Sequence, residues 1–218
     1  MRLWYLSIMI AVLSACTPIH GDRPTWYEER WGEISPQQLD NSCGIASMAT
    51  IMQYHFGDTR FDERILLKEY VEKASEEQLL KAMRTGVSLL ELESLAQGVG
   101  YKTLRKMFTL EELEKTVSFV PVLVYLEIGK YRHFAVVRGM NKFTVWLADP
   151  ARGNVYHSRD AFLKEWRIPE AYRAEWSHPG GLIIVRPDGE FALSLLREPI
   201  SNFPASFREL RRQMMFAK

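Results

Sequence analysis

Apolar residues recur at helical spacing through the first half of the chain and give way to short apolar or β-branched runs in the second. Ile45, Met48, Ala49, Met52 and Phe56 fall at i, i+3, i+4, i+7 and i+11, one stripe of a helix that starts near Cys43. Asn41 or Ser42 is placed to cap its start, and Gly57 to stop it. Further helices are expected over 62–73, 76–83 and 88–97. The last opens on Ser88-Leu89-Leu90-Glu91, a capping-box pattern, and closes at Gly98 and Gly100. A strand over 101–108 precedes a second capping box, Thr109-Leu110-Glu111-Glu112, whose short helix ends before Pro121. Residues 122–127, 133–138, 143–148 and 155–157 then read as strands, 160–166 as a short helix and 182–186 as a closing strand. Helices first and antiparallel strands afterwards define an α+β domain over 36–187.

The ends of the chain read differently. Arg2 precedes an apolar run over 3–13, broken only by Ser7. Eleven helical residues rise about 16 Å, too short to span a bilayer, so the run reads as a secretory signal. It ends in Leu13-Ser14-Ala15-Cys16, which resembles a bacterial lipoprotein box. That resemblance implies cleavage after residue 15 and lipid on Cys16; Thr17, in place of aspartate, leans towards the outer membrane facing the periplasm. An ordinary cleaved signal with an incidental cysteine is the alternative. Residues 16–35, rich in Pro and Gly, read as a tether. In the tail over 188–218, Phe203, Phe207, Leu210 and Met214 lie at helical spacing among Arg208, Arg211, Arg212 and Lys218. A basic amphipathic helix of this kind suits an anionic membrane, a secretion-system partner, or its own domain.

Composition removes some function classes. Apolar residues make up 47% and charged residues 25%, the balance of a globular domain. A formal net charge of +1 gives no field to recruit nucleic acid, and no nucleotide-binding phosphate loop is present. His20, His55, His157 and His178 have no metal-ligand spacing with cysteine or with one another, so neither metal nor cofactor is expected. Acylated Cys16 would leave Cys43 with no intramolecular partner, a safe arrangement for a nucleophile in an oxidising compartment.

The chemistry converges on Cys43. A helix start favours a negative charge on the thiol there. A buried free cysteine at such a place is equally an ordinary small hydrophobe. His133 enters one expected strand and Asp149 leaves the next. If a three-residue loop sets Gly139 opposite Phe143, His133 stands directly opposite Asp149 on one face of the sheet. Such a pair fixes an imidazole's tautomer and stabilises imidazolium. Each residue also has a plain reading, a core histidine and a turn-starter before Pro150. Gln37, six residues before the cysteine, is placed to donate to an oxyanion alongside the Cys43 amide, with Gln38 an adjacent competitor.

Taken together these residues resemble the C39 peptidases, papain-like enzymes that remove double-glycine leaders from secreted peptides. The resemblance covers residues 35–186 through Gln37, Cys43-Gly44-Ile45-Ala46, residues 54–57, Gly86-Val87-Ser88-Leu89, His133-Phe134-Ala135-Val136-Val137 and Ala148-Asp149-Pro150-Ala151-Arg152-Gly153, with Trp166 beyond. It implies Cys43 as nucleophile, His133 as general base, Asp149 as the orienting acid and Gln37 as oxyanion donor. Ser42 departs from the acidic residue that many members carry before the cysteine. Lacking a transporter region, the chain is more similar to stand-alone exported members, such as those accompanying functional-amyloid secretion in pseudomonads. The expectation is therefore an exported thiol peptidase acting on a secreted polypeptide. A peptidase-like groove that binds without cutting, and acyl transfer or amidase chemistry on the same groups, are the alternatives.

Overall fold

The computed structural model describes residues 24–188. The signal segment over 1–15, Cys16, His20 and the basic tail helix lie outside the described residues. Seven helices and six strands order the rest. They are α1 (Trp26–Trp31), α2 (Cys43–Thr50), α3 (Glu63–Lys73), α4 (Glu76–Thr85), α5 (Leu89–Gly98), β1 (Lys102–Met107), α6 (Leu110–Val117), β2 (Val122–Ile128), β3 (Tyr131–Met140), β4 (Thr144–Asp149), β5 (Gly153–Ser158), α7 (Arg159–Glu165) and β6 (Gly180–Val185). A π-helical turn, Ile51–His55, prolongs α2, and Gly57 at φ +69° ends the run.

Local chemistry starts most of these helices. Ser75, Ser88 and Thr109 each accept from a backbone amide three residues on, and Gln78, Glu91 and Glu112 reach back to close a capping box. Asp62 and Ser158 cap α3 and α7 with one bond each. Caps of this type contribute about 0.5–2 kcal/mol each, enough to set where a short helix begins. α2 is the exception: Ser42 makes no side-chain cap, and all eight residues of the helix are buried. Ser42 Oγ donates instead to the Leu39 carbonyl, and Asn41 Nδ2 to the Met83 carbonyl. Packing on every side, not capping, holds this helix.

The sheet is antiparallel throughout, in the order β1-β6-β2-β3-β4-β5. On one face Leu123, Tyr125, Phe134, Val136, Leu182 and Ile184 pack with α2 and with Leu66, Leu89, Leu92 and Leu95 of the neighbouring helices. On the other, Val124, Leu126, Val137 and Leu147 meet Leu113 of α6 and Phe162 of α7. Phe162 stacks on Trp166, whose Nε1 donates to the Gly180 carbonyl. The result is three layers with the sheet in the middle.

Residues 26–35, read from the sequence as tether, belong to the folded part. α1 carries its own capping box, Thr25 with Glu28, and has no buried residue. What fixes it is distant: Asn154 Nδ2 on β5 donates to the Glu29 and Gly32 carbonyls at 3.0 and 2.9 Å. Ile34 then enters the core at 2% exposure. Gly153 makes the approach possible. It sits at φ +84°, and a β-carbon there would come within 2.4 Å of the Arg30 carbonyl oxygen.

Gly153→Ala should therefore destabilise the domain by about 1–3 kcal/mol through backbone strain and the lost α1 contact. Urea unfolding measures the loss, and amide exchange over residues 26–31 should accelerate more than over α2.

Candidate active site

Cys43 is the first residue of α2 and is buried, at 7% exposure. Its neighbour Gly44 lets the helix lie against β3: a β-carbon would meet Leu92 Cδ1 at 2.8 Å and Phe134 Cδ2 at 3.1 Å. One turn on, Ser47 Oγ donates to the Phe134 carbonyl at 3.2 Å. The helix start is thus pinned to the residue beside His133.

His133 and Asp149 meet, but not in the register expected. Asn141 Oδ1 accepts from the Phe143 and Thr144 amides, and Asn141 N donates to Thr144 O, closing the hairpin around Lys142 and Phe143. Met140 then faces Val145 and Gly139 faces Trp146. Carried on unchanged, that pairing would set Asp149 opposite Val136, with His133 three residues away and on the other face. A bulge at Arg138 intervenes, and beyond it Val137 faces Leu147 and Val136 faces Ala148. Asp149 therefore stands beside Ala135, diagonal to His133 on the same face. The diagonal is spanned: His133 Nε2 lies 2.9 Å from Asp149 Oδ1. The direct opposition expected from a three-residue loop is corrected to this bulge-set diagonal.

Asp149 is fully buried and every side of its carboxylate is used. Oδ1 accepts from the Ala151 and Arg152 amides at 2.8 and 3.0 Å, and Oδ2 from Arg152 Nε at 2.7 Å. The turn-starter and the histidine partner, alternatives in the sequence, are one residue doing both. Burial raises the Asp149 pKa, but His133 and Arg152 outweigh it and hold the carboxyl down at about 2. For His133, burial disfavours imidazolium; the Asp149 hydrogen bond, the Cys43 sulfur and the charge on Asp149 prevail and lift it to about 9. With Nε2 held by Asp149, Nδ1 is the nitrogen left to exchange a proton with the thiol.

Gln37 lies in the loop that leads into α2. Its backbone amide donates to the Pro150 carbonyl at 2.9 Å, tying the loop to the Asp149 turn. Its Nε2 donates to the Leu39 carbonyl at 3.1 Å, and its buried Oε1 has no hydrogen-bond partner. Gln38 is exposed, and its backbone N–H is what the structure uses. Arg152, part of the motif over 148–153, gains a role only in the structure, as the cation three residues after the buried Asp149 carboxylate. Of the remaining histidines, His157 Nδ1 lies 3.7 Å from Glu165 and His178 Nδ1 3.0 Å from Ser177 Oγ, both away from the thiol. Among the described residues no group of three or more His, Cys, Asp or Glu is arranged to hold a metal. A largely apolar groove is lined by Ser42 and Ile45 near the start of α2 and by Leu67, Val71, Met83 and Val87.

Helices packed on an antiparallel sheet in this order are the fold of papain-like peptidase domains, and solved structures share that fold. The peptidase domain of Streptococcus ComA superposes with a TM-score of 0.52 at 18% identity, covering 70% of this chain and 97% of that one. A putative C39-like peptidase from Bacillus anthracis gives 0.50 at 17% identity, covering 71% and 95%. The Peptidase C39 family model matches residues 64–169. More particularly, the chain is 33% identical over 141 residues to the probable functional amyloid protease FapD of Pseudomonas fluorescens, 64% of this chain and 59% of that protein. It is 29% identical over 135 residues to the transport/processing ATP-binding protein ComA of Streptococcus pneumoniae, 60% of this chain and 17% of that protein. The chain thus spans less than two thirds of these relatives' own length.

The two pKa shifts set the pH dependence. His133, raised above 6.5, contributes stability fully below that value and loses it as pH rises through about 9. Asp149, lowered below 3.8, contributes fully above that value and loses it as pH falls through about 2. Stability from the pair should therefore be greatest between these limits, roughly pH 4 to 6.5, as read from urea midpoints against pH. Asp149→Asn should bring the His133 titration, followed by the NMR shift of its ring Cε1 proton, back down towards the ordinary imidazole range.

Proposed function

We propose that the protein is a cysteine peptidase that cuts a secreted polypeptide. The observation that carries this reading is the buried pairing of His133 with Asp149, in a setting where the Cys43 sulfur also favours the charged imidazole. A charged imidazole is costly to bury unless it has work to do there. With the ring protonated, the Cys43 thiolate is its counter-charge and the attacking group. The thiolate adds to the scissile carbonyl carbon, and the carbonyl electron pair moves onto oxygen. Nδ1 of His133 then gives its proton to the leaving amine, releasing the first product and an acyl-enzyme. Water, losing a proton to the neutral ring, hydrolyses the thioester and restores the pair. The uncapped start of α2 supports the Cys43 amide as one oxyanion donor, and the Gln37 carboxamide is the other.

The groove beside Ser42 and Ile45 suits an apolar stretch of polypeptide leading to the cut. Similarity to the C39 family supports cleavage after small residues such as Gly-Gly. The name of the FapD relative, a probable functional amyloid protease, supports a secreted amyloid-type polypeptide as substrate. The apolar segment ending at Leu13-Ser14-Ala15-Cys16 supports export and a lipid anchor on Cys16 at the outer membrane, and the basic tail a secretion partner.

Incubation of the mature protein with candidate exported polypeptides, followed by mass spectrometry of new termini, tests the reading. The wild type should give defined products and Cys43→Ala none, while His133→Ala should lose activity by several orders of magnitude. Binding by Cys43→Ala with no product from the wild type would instead establish a non-cleaving groove. Transfer of the acyl group to an added amine, with no hydrolysis, would establish acyl-transfer chemistry.

A further inference from the structure

Apart from Asp149, Glu63 is the most deeply buried carboxylate among the described residues, at 3% exposure, and the mechanism makes no use of it. It is the first residue of α3, where unpaired amides and the helix dipole favour a negative charge. Among the described residues it makes no ion pair. Both of its oxygens accept from one donor, the backbone N–H of Gln38, at 3.1 and 2.9 Å. The residue before that donor is Gln37.

Three backbone amides anchor the loop over 37–42. Gln37 N donates to the Pro150 carbonyl, Gln38 N to Glu63, and Leu39 N to Ser42 Oγ at 3.3 Å, with Ser42 N returning to the Leu39 carbonyl. The first anchor joins the loop to the Asp149 turn and the third joins it to the start of α2. Of these backbone anchors only the second reaches a helix outside the site, α3, while the Asn41 side chain ties the far end of the loop to the Met83 carbonyl of α4. A neutral acceptor would satisfy one amide, so a buried charge here is more than accounting for hydrogen bonds requires. A charged acceptor holds the amide at a shorter and better-aligned distance, and that matters where a donor has to meet an oxyanion.

We propose that Glu63 is a positioning residue for Gln37: by fixing the Gln38 N–H it sets the loop so that the Gln37 carboxamide addresses the oxyanion formed at Cys43. The proposal rests on the cysteine peptidase reading. It separates Glu63 from residues that tune the thiol, because its hydrogen bonds go to the Gln38 N–H and not to Cys43 or His133.

The test uses the mature chain as wild type, Glu63→Gln, Glu63→Ala, Gln37→Ala and the Glu63→Ala/Gln37→Ala double variant. Three quantities are measured: kcat and KM on a peptide that the wild type cuts, inhibition by a peptide aldehyde ending in glycinal, and the rate of Cys43 alkylation by iodoacetamide. The aldehyde adds to the thiolate and develops an oxyanion; alkylation displaces iodide and develops none. Gln37→Ala should lower kcat by about 10²–10³-fold, the loss typical of one oxyanion donor. Glu63→Ala should lower kcat and weaken aldehyde binding together, by up to about 10²-fold for an ångström-scale misplacement, with KM and alkylation near wild type. Glu63→Gln, which keeps the size and one acceptor oxygen, should fall between and covers the case in which Glu63→Ala does not fold. The double variant should be no worse than Gln37→Ala alone. Unchanged kcat in Glu63→Gln and Glu63→Ala, additive losses in the double variant, or alkylation falling in step with kcat would overturn the proposal while leaving the peptidase reading intact. A wild type that cuts no peptide and binds no aldehyde overturns that reading, and the proposal with it.

Discussion

The contact between His133 Nε2 and Asp149 Oδ1 exists because β3 carries one residue more than β4 needs. Side chains alternate between faces with a period of two, so an odd slip exchanges the faces of everything beyond it. The hairpin end and the site end of β3 and β4 differ by one step, taken at Arg138. That bulge is held by distant groups. Arg138 Nη2 donates to the Glu33 carbonyl, and Nη1 lies 3.4 Å from both Glu33 Oε2 and Asn154 Oδ1. Glu33 follows α1 and has φ +57°, and Asn154 is the residue that holds α1. The short helix at the front of the domain therefore braces the register that brings imidazole and carboxylate to one face.

Burial explains why the register has to be so firmly held. Asp149 is fully enclosed and His133 nearly so. An ionised carboxylate out of water costs several kcal/mol, about, unless its lone pairs are met. Here two backbone amides, Arg152 Nε and the imidazole meet them all. A shift of one residue would strand both partners, so the misregistered sheet is penalised twice: once in its apolar faces and again at the pair. Structure and site are stabilised by the same interactions, which is why the pKa values of His133 and Asp149 move apart in opposite directions.

Most elements were legible in the sequence because their signals are local. Ser88 with Glu91 and Thr109 with Glu112 announce helices within four residues, and α5 and α6 begin where those boxes say. The stripe from Ile45 to Phe56 found α2, although its far end is π-helical. The cap expected at Asn41 or Ser42 did not form, because both side chains are spent on the loop and on Met83. The bulge at Arg138 left no local trace: its partners are 105 residues back at Glu33 and 16 ahead at Asn154. α1 was missed for a related reason. Six residues with no buried side chain give no apolar stripe, and the contacts that dock it are with Arg152, Gly153 and Asn154, far along the chain.

The missing cap is more than a local exception. α3 to α7 all begin with a side chain that takes up an amide of the first turn. α2 begins with none, and its first residue is the thiol. Folding energy alone would favour a cap there, worth about 1 kcal/mol. Instead Ser42 and Asn41 turn outward to fix the preceding loop, while Gln37 N–H and Gln38 N–H tie that loop to Pro150 and Glu63. The side chains that would satisfy the helix are used to shape the space in front of it. A helix start left open in this way, fully buried and faced by a charged imidazole, is suited to stabilising negative charge that arrives only with a substrate.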